Sequence, residues 1–277
     1  MRERHRLLIE ALLPELADGS VVSHQSAAVL YGTTLWRVPL DRVCVTRNRR
    51  GGGRIRPHTK VFGSPLDSAA EVDGLLVTTP ARTVVDLALT LPFDAAVVAG
   101  DALAGRFGLT AGELAEEVAR AKFRHGIARA KHAVSFLDGR SRSAGESLSR
   151  IMIRRCGLPA PATQGTVLTP DGRFVDRADF YYENAGVVCQ FDGPFRYGRL
   201  LRHGGDPAEA VHREQAHETH LRALGFQVVR WTWNDLSGDE AGRRLRAALT
   251  RGRRSSPDGR IEPTPAIEPR RIPAHPL

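Results

Sequence analysis

Residues 187–197 read VVCQFDGPFRY. The apolar run before Gln190 predicts a buried strand that brings Asp192 to a glycine turn. A second acid, Asp179, stands near the end of another predicted strand, and Glu146 begins an amphipathic segment upstream. Acids that a helix and two neighbouring strands bring to one place can bind a single divalent metal ion, which indicates phosphodiester chemistry.

The order of elements around this stretch favours an α/β fold. The pattern predicts a helix at 146–156, strands at 163–168, 173–181 and 186–192, a helix at about 208–224 and a strand at 226–231. This α-β-β-β-α-β order predicts a mixed sheet with helices on its faces, of the restriction-endonuclease type.

The first half of the chain predicts a smaller α+β domain. Helical patterns cover 4–17, 23–32, 79–88, 94–104, 110–122 and 126–138, and strand patterns cover 41–46, 58–62 and 74–78. Ser23 and Thr79 stand at positions typical of helix caps, and Pro80 follows at the first helical position. We therefore expect domains at 1–139 and 140–250, followed by a disordered tail at 251–277 that contains six prolines and six arginines.

The composition favours a polyanionic partner. The formal net charge is +9, and of the 40 cationic side chains only Lys60, Lys122 and Lys131 are lysine. This balance is typical of nucleic-acid binding, although an arginine-rich composition can also follow from genomic base composition. No run is long and apolar enough to predict a membrane span or a signal peptide, and the three cysteines form no CxxC pair. We expect a cytoplasmic protein without a zinc site.

A glycine-centred basic loop at residues 47–56 is the best local candidate for phosphate contact. The loop reads RNRRGGGRIR. Dense cations on a flexible backbone suit sequence-independent binding to DNA, and a solvated hairpin tip is an equally good interpretation. The candidate nucleic-acid residues are Arg47, Arg49, Arg50, Arg54 and Arg56.

The second region also predicts a catalytic centre. Side chains 190 and 192 of one strand point to the same face, so Gln190 and Asp192 belong together. Glu146, Asp179 and Asp192 are the candidate ligands for Mg²⁺ or Mn²⁺, and Arg196 is a candidate for stabilising negative charge. Each residue also has a structural interpretation, because Asp-Gly is a common turn and an acid favours the first turn of a helix.

A set of motifs in this region supports a family resemblance. They are Ser143-Ala-Gly-Glu146-Ser147, Arg150, Gly157-Leu158-Pro159, Gln164, Arg177-Ala-Asp179-Phe180, Phe191-Asp192-Gly193, Tyr197-Gly198, Glu214, Leu221–Gly225 and Val228–Leu236. Residues 143–236 therefore resemble the restriction-endonuclease-like domain family related to very-short-patch repair endonucleases, in the PD-(D/E)XK superfamily. The resemblance implies metal-dependent DNA cleavage, with Glu146, Asp179 and Asp192 at the acidic positions.

The chain departs from that family at two positions that matter for cleavage. Gln190 stands where the family usually has Glu, and Arg196 stands where it usually has Lys. Residues 214–219 stand where the family has the helix pattern Glu-Lys-x-Arg-Glu-Asp, and here its Lys, Arg and Asp are all replaced. No lysine follows Lys131. A neutral amide is a weaker metal ligand than a carboxylate, and Arg holds its proton too tightly to act as a base. These departures predict an impaired or lost nuclease.

Motifs in the first half support a second resemblance. They are Val22–Ala28, Gly32, Leu35-Trp36, Val43–Thr46, Thr78–Ala88 and Asp101-Ala-Leu. Residues 21–105 resemble the AbiEi-type antitoxin regulator region, which accompanies a DNA-binding winged helix-turn-helix in that family. No winged segment is evident before Ser23. The resemblance implies DNA and a cognate toxin as partners, and it leaves His24 and Arg82 either functional or paired with Asp86 or Asp101.

Three functional hypotheses follow from the sequence. The first is a metal-dependent DNA endonuclease, impaired by Gln190 and Arg196. The second is a non-catalytic DNA-binding or antitoxin-like transcriptional regulator on a decayed nuclease fold. The third is a protein-interaction module whose basic character is incidental.

Overall fold

The computed structural model describes residues 1–193, 207–252, 256–265 and 268–277. The chain is an α/β protein that forms two compact units. Unit 1 comprises Met1–Ala144 and Ile267–Leu277, and unit 2 comprises Gly145–Ala266. The boundary between the units lies five residues after the predicted one. Unit 1 also contains the last residues of the chain. No helix in the described part of the chain is both long and apolar enough to span a membrane.

Unit 1 combines a seven-stranded mixed sheet with six helices. Its strands are β1 (Ser20–Val22), β2 (Val43–Arg47), β3 (Gly53–Ile55), β4 (Thr59–Gly63), β5 (Ser68–Val72), β6 (Leu75–Val77) and β12 (Ala274–Pro276). Its helices are α1 (Arg2–Leu12), α2 (His24–Leu30), α3 (Pro80–Thr90), α4 (Phe93–Phe107), α5 (Ala111–Arg120) and α6 (Ile127–Val134). The sheet order is β12-β5-β6-β1-β2-β4-β3, which leaves β3 at one edge.

The start of helix α3 confirms the predicted cap. The Thr79 side chain accepts a hydrogen bond from the backbone N–H of Arg82, and Pro80 occupies the first turn, where its missing N–H loses no helical bond. Helix α2 differs from the prediction, because Ser23 precedes it without capping it. The Ser23 hydroxyl instead bonds His24 Nδ1 and Thr46 Oγ1, since both partners lie within reach in the buried interior.

Unit 2 contains the predicted α-β-β-β-α-β order. The elements are α7 (Ala144–Arg155), β7 (Ala162–Leu168), β8 (Phe174–Tyr182), β9 (Val187–Asp192), α8 (Pro207–Ala223), β10 (Gln227–Thr232), α9 (Glu240–Gly252) and β11 (Arg260–Pro263). The sheet order is β10-β9-β8-β7-β11, with β10 parallel to β9 and the other pairs antiparallel. The sheet is therefore mixed, as predicted.

Strand β9 sends alternate side chains into two apolar clusters. Val187, Cys189 and Phe191 pack with residues of α7 and α9 on one face, whereas Val188 packs with Leu221 of α8 on the other. Because strand side chains alternate, Gln190 and Asp192 belong to the face that α8 covers. This confirms the prediction that the two share a face.

The prediction of a disordered tail at 251–277 differs from the structure. Strand β11 pairs antiparallel with β7 and buries Ile261, and β12 pairs antiparallel with β5. Helix α9 also extends to Gly252. A proline-rich segment can add to the edge of a sheet because pairing there needs backbone groups on one side of the strand only.

Candidate functional site

The predicted acids of unit 2 are placed around Phe191. Gly145 lies directly against the ring, and a side-chain carbon at Gly145 would overlap it. Glu146 follows Gly145 in the chain and is buried at the start of α7. Asp179 Oδ2 accepts a hydrogen bond of 2.8 Å from the backbone N–H of Phe191, and Asp192 is the next residue. Helix α7 and strands β8 and β9 therefore each have one acid that contacts Phe191 or lies next to a residue that does, although Asp192 faces the opposite side of β9 from Phe191.

Glu146 has a buried amide as partner. Gln164 of β7 donates from Nε2 to Glu146 Oε2 at 2.7 Å, and both side chains are almost fully buried. Gln164 has a φ of +59°, a conformation that few residues other than glycine adopt. Strain of this kind is retained where surrounding contacts hold the residue in place, and the bond to Glu146 is one such contact.

Gln190 is held by two hydrogen bonds from its amide nitrogen. The side chain is fully buried, and Nε2 donates to Asp176 Oδ2 at 2.8 Å and to the backbone oxygen of Arg177 at 2.9 Å. A carboxylate and a carbonyl can only accept, so the nitrogen must face both of them. Gln190 Oε1 is buried without a hydrogen-bond partner among the described residues.

Asp176 is a site residue that the sequence analysis missed. Its side chain is buried; Oδ1 accepts from the backbone N–H of Arg177 at 2.8 Å and lies 3.9 Å from His217 Nδ1 on α8. Its Oδ2 accepts from Gln190. The signal in the sequence was an acid within an otherwise strand-like segment, three residues before the acid that the motif selects.

Arg230 is a second residue that the sequence analysis missed. It is the register partner of Gln190 on the neighbouring strand β10. Its Nη1 lies 3.9 Å from Asp192 Oδ2, and its Nε lies 3.4 Å from Glu218 Oε2 on α8. A cation therefore lies beside Asp192 within the described part of the site. The predicted cation, Arg196, lies outside the described residues.

The described residues do not fit a metal ion between Gln190 and Asp176. The Gln190 amide presents hydrogens rather than lone pairs to Asp176, and a cation cannot share that contact. Among the described residues, no three His, Cys, Asp or Glu side chains are grouped so that they could hold a metal ion. Glu146, Asp179 and Asp192 thus lie near Phe191 without forming a described three-carboxylate centre.

The basic loop of unit 1 presents four exposed arginines. Arg49 and Arg50 follow β2, and Arg54 and Arg56 lie in or just after the edge strand β3. Arg47 is half-buried at the end of β2 and donates from Nε to Ser20 Oγ at 3.1 Å. The loop prediction was wrong for 53–55, because these residues pair with β4. The pairing gives part of the basic segment a fixed backbone.

Arg82 of unit 1 pairs with Asp86, one of the two alternatives that the sequence left open. Arg82 Nε lies 3.0 Å from Asp86 Oδ1, and Arg124 bonds the same oxygen. Burial alone would raise the pKa of Asp86, but His24, Arg82 and Arg124 bring that pKa below its usual range. His24 stacks on Phe62 with ring centroids 3.7 Å apart, and burial lowers the pKa of His24 to about 4.

Two proteins of Mycobacterium tuberculosis are similar to the chain over most of its length. Both are uncharacterized proteins, MT2308 and Rv2248, and each is 30% identical over 206 residues. The aligned segment covers 72% of this chain and 70% of each relative. No protein-family model matches the chain, and no solved structure matches it.

Proposed function

The chain belongs to the family of the M. tuberculosis proteins MT2308 and Rv2248, and we propose that it is a DNA-binding protein whose second unit is a non-cleaving relative of metal-dependent endonucleases. Unit 1 would make phosphate contacts through the basic loop. Unit 2 would retain an endonuclease-type sheet without the complete set of metal ligands. The resemblance of residues 21–105 adds the proposal that the chain's biological role is that of an antitoxin-like regulator with a cognate toxin as partner.

The exposed arginines of the basic loop support DNA as the partner. Arg49, Arg50, Arg54 and Arg56 are concentrated on one turn and the adjoining edge strand, and the whole chain has a net charge of +9. Guanidinium groups pair with phosphate oxygens and release counterions from the duplex, which favours binding without sequence preference. This surface therefore suits a phosphate polyanion, and duplex DNA is the one that we propose.

The hydrogen bonds of Gln190 are the observation on which the non-cleaving part of the proposal rests. The endonuclease family that the chain resembles usually has a carboxylate, Glu, at the position of Gln190. In this chain both hydrogens of the amide nitrogen have acceptors, Asp176 Oδ2 and the Arg177 backbone oxygen. Turning the amide so that its oxygen meets a metal ion bound at Asp176 would break both bonds in a fully buried site. Binding without cleavage is the expected outcome.

A second candidate function, metal-dependent endonuclease, is favoured by the three acids around Phe191. Asp179 bonds the Phe191 N–H, Asp192 follows Phe191 in the chain, and Glu146 follows Gly145, which contacts the Phe191 ring. Mg²⁺ keeps several bound waters and needs as few as two carboxylate ligands, so cleavage would use these acids as ligands for Mg²⁺ or Mn²⁺. Such an ion would activate water for attack on a phosphate.

The two candidates differ in their response to metal. Duplex DNA with a fluorescent label is titrated with the full chain at several NaCl concentrations, in EDTA and in MgCl₂ or MnCl₂. Supercoiled plasmid is incubated under the same metal conditions and scored for nicking. We expect affinity that falls steeply with salt, is unchanged by EDTA, and is accompanied by no nicking.

The outcomes separate the hypotheses. Nicking that requires Mg²⁺ or Mn²⁺ and disappears in Asp179→Ala would replace the proposed function with the endonuclease. Absence of DNA retention at the lowest salt concentration would contradict both candidates. It would leave a protein-interaction module as the remaining hypothesis.

A further inference from the structure

The contact between Gln190 and Asp176 has the dimensions of a metal-bridged carboxylate pair. Nε2 and Oδ2 are 2.8 Å apart, and both side chains are buried. Two oxygens that occupy neighbouring corners of a Mg²⁺ octahedron, each about 2.1 Å from the ion, are about 3.0 Å apart. The same separation between two carboxylate oxygens without a shared ion or proton would be strongly unfavourable in a buried site.

The amide nitrogen removes this conflict. Its partly positive hydrogen lies between the two side chains, and the Asp176 charge is met by a donor rather than by a second anion. The second hydrogen is bound to the Arg177 backbone oxygen, which fixes the amide plane. Asp176 is held in turn by the Arg177 N–H, so neither partner needs to move to make the contact.

We propose that the N–H donor of the Gln190 amide takes the place of a divalent cation at Asp176, so that the Asp176 charge is met without a metal ion. Asp176 is then a positioning residue, because its Oδ2 fixes the amide orientation at position 190. This proposal concerns the same face of unit 2 as the proposed function. It rests on the proposed function only for the statement that no metal ion is bound at position 190. It further requires that Gln190→Glu turn the pair into a binding site for Mn²⁺ or Mg²⁺.

In the Gln190→Glu variant, the neighbouring positively charged side chains would not replace the metal ion. Arg230 is the register partner of Gln190, but Asp192 and Glu218 already lie 3.9 Å and 3.4 Å from its guanidinium nitrogens. His217 lies 3.9 Å from Asp176 through an exposed ring, where solvent weakens its influence. Among the described residues, Arg222 also pairs with Glu218, and a carboxylate introduced at position 190 would add negative charge directly beside Asp176.

The test compares thermal unfolding in EDTA and in millimolar MnCl₂, without DNA. Three full-length proteins are used: wild type, Gln190→Glu, and the double variant Asp176→Asn with Gln190→Glu. In EDTA we expect the Tm of Gln190→Glu to fall by about 5–10 °C relative to wild type, and Mn²⁺ to restore at least half of that loss. The double variant exchanges donor and acceptor across the pair and should not respond to Mn²⁺.

Mn²⁺ binding is also followed directly by the loss of its free-ion electron paramagnetic resonance signal. We expect one bound ion for Gln190→Glu and none at this site for wild type or the double variant. Equal responses of all three proteins to Mn²⁺ would overturn the inference. So would a Gln190→Glu protein that is as stable as wild type in EDTA, or one that remains unfolded in Mn²⁺. Since DNA is absent, these results are independent of whether the protein binds or cleaves it.

Discussion

Trp231 of β10 donates its indole N–H to the hydroxyl of Ser149 on α7 at 2.7 Å, and both side chains are fully buried. The Ser149 hydroxyl in turn donates to the backbone oxygen of Gly145 at 2.6 Å. The first turn of α7, which contains Glu146, is therefore tied to the sheet by side-chain and backbone bonds together. Because the indole N–H can only donate, Ser149 is its necessary acceptor.

Removing that acceptor should destabilise unit 2. Ser149→Ala leaves the buried Trp231 N–H without a partner, and we expect a loss of about 1–3 kcal/mol in the free energy of unfolding. Adding Trp231→Phe should cost less than the sum of the two single changes, because no donor then remains unpaired. Chemical denaturation of the four proteins measures both values. Strict additivity would contradict the coupling.

Gly145 is needed for the close approach of α7 to Phe191. Gly145→Ala should cost about 1–3 kcal/mol, because the added methyl group overlaps the aromatic ring and the helix must shift. Gly238→Ala is the matched control, since nothing lies within 4 Å of a side-chain carbon there. Thermal unfolding of both variants tests the contact. An equal Tm for the two would show that Phe191 can move aside.

The stability of unit 1 should fall between about pH 6.5 and about pH 4. Burial lowers the pKa of His24 from 6.5 to about 4, so in this window the unfolded chain binds a proton that the folded chain excludes. Stability is then fully present above pH 6.5 and decreases as the pH falls. The pKa of His5 is lowered in the same direction by burial.

His24→Asn should flatten this dependence, because Asn tolerates the positive φ of 53° and does not titrate. The free energy of unfolding of the two proteins is compared at about pH 7.5 and at about pH 5. We expect the pH-dependent loss to be smaller in the variant by about 1–2 kcal/mol. Parallel curves for wild type and variant would assign the pH dependence to other groups.

Asp86 should be among the most sensitive positions of unit 1. Asp86→Asn leaves Arg82 and Arg124 without their shared carboxylate, and breaking a buried ion pair in this way costs about 3–5 kcal/mol. Asp73→Asn removes an exposed partner of Arg6 and should cost less than about 1 kcal/mol. Denaturant titrations distinguish the two. A small effect at Asp86 would mean that solvent already reaches the two guanidinium groups.

The basic loop should account for part of the salt dependence of DNA binding. Arg49→Ser with Arg50→Ser removes two exposed cations, and the slope of log affinity against log salt should become shallower by about two. Arg2→Ser with Arg4→Ser removes the same charge from exposed positions on α1 and serves as the control. Equal slopes for the two double variants would remove the loop from the interface.

Local signals in the sequence predicted most elements of unit 2. The apolar run before Gln190 indicated β9, and alternation placed Gln190 and Asp192 on one face, which the packing of Val188 and Phe191 confirms. Those local signals do not predict contacts between residues that lie far apart in the sequence. Arg230 reaches Asp192 only through the parallel pairing of β10 with β9, and no pattern in either strand reports that pairing.

Asp176 illustrates a different limit. Its role depends on the Gln190 side chain of the neighbouring strand β9, and the side-chain alternation within β8 does not report that contact. The strands β11 and β12 were missed for another reason. Their composition is typical of a disordered tail, and sheet edges accept a strand through its backbone, which the side-chain pattern does not encode.

Strand β12 also sets an order of events during synthesis. It follows the whole of unit 2 in the chain, yet it pairs with β5 of unit 1 through residues 274–276. Domains generally fold from the amino terminus while the chain is being made, and residues 1–144 of unit 1 would then fold with the edge of β5 uncovered. The ribosome has to complete unit 2 before this edge can be closed. A nascent or prematurely ended chain would therefore expose an open sheet edge that the finished protein covers.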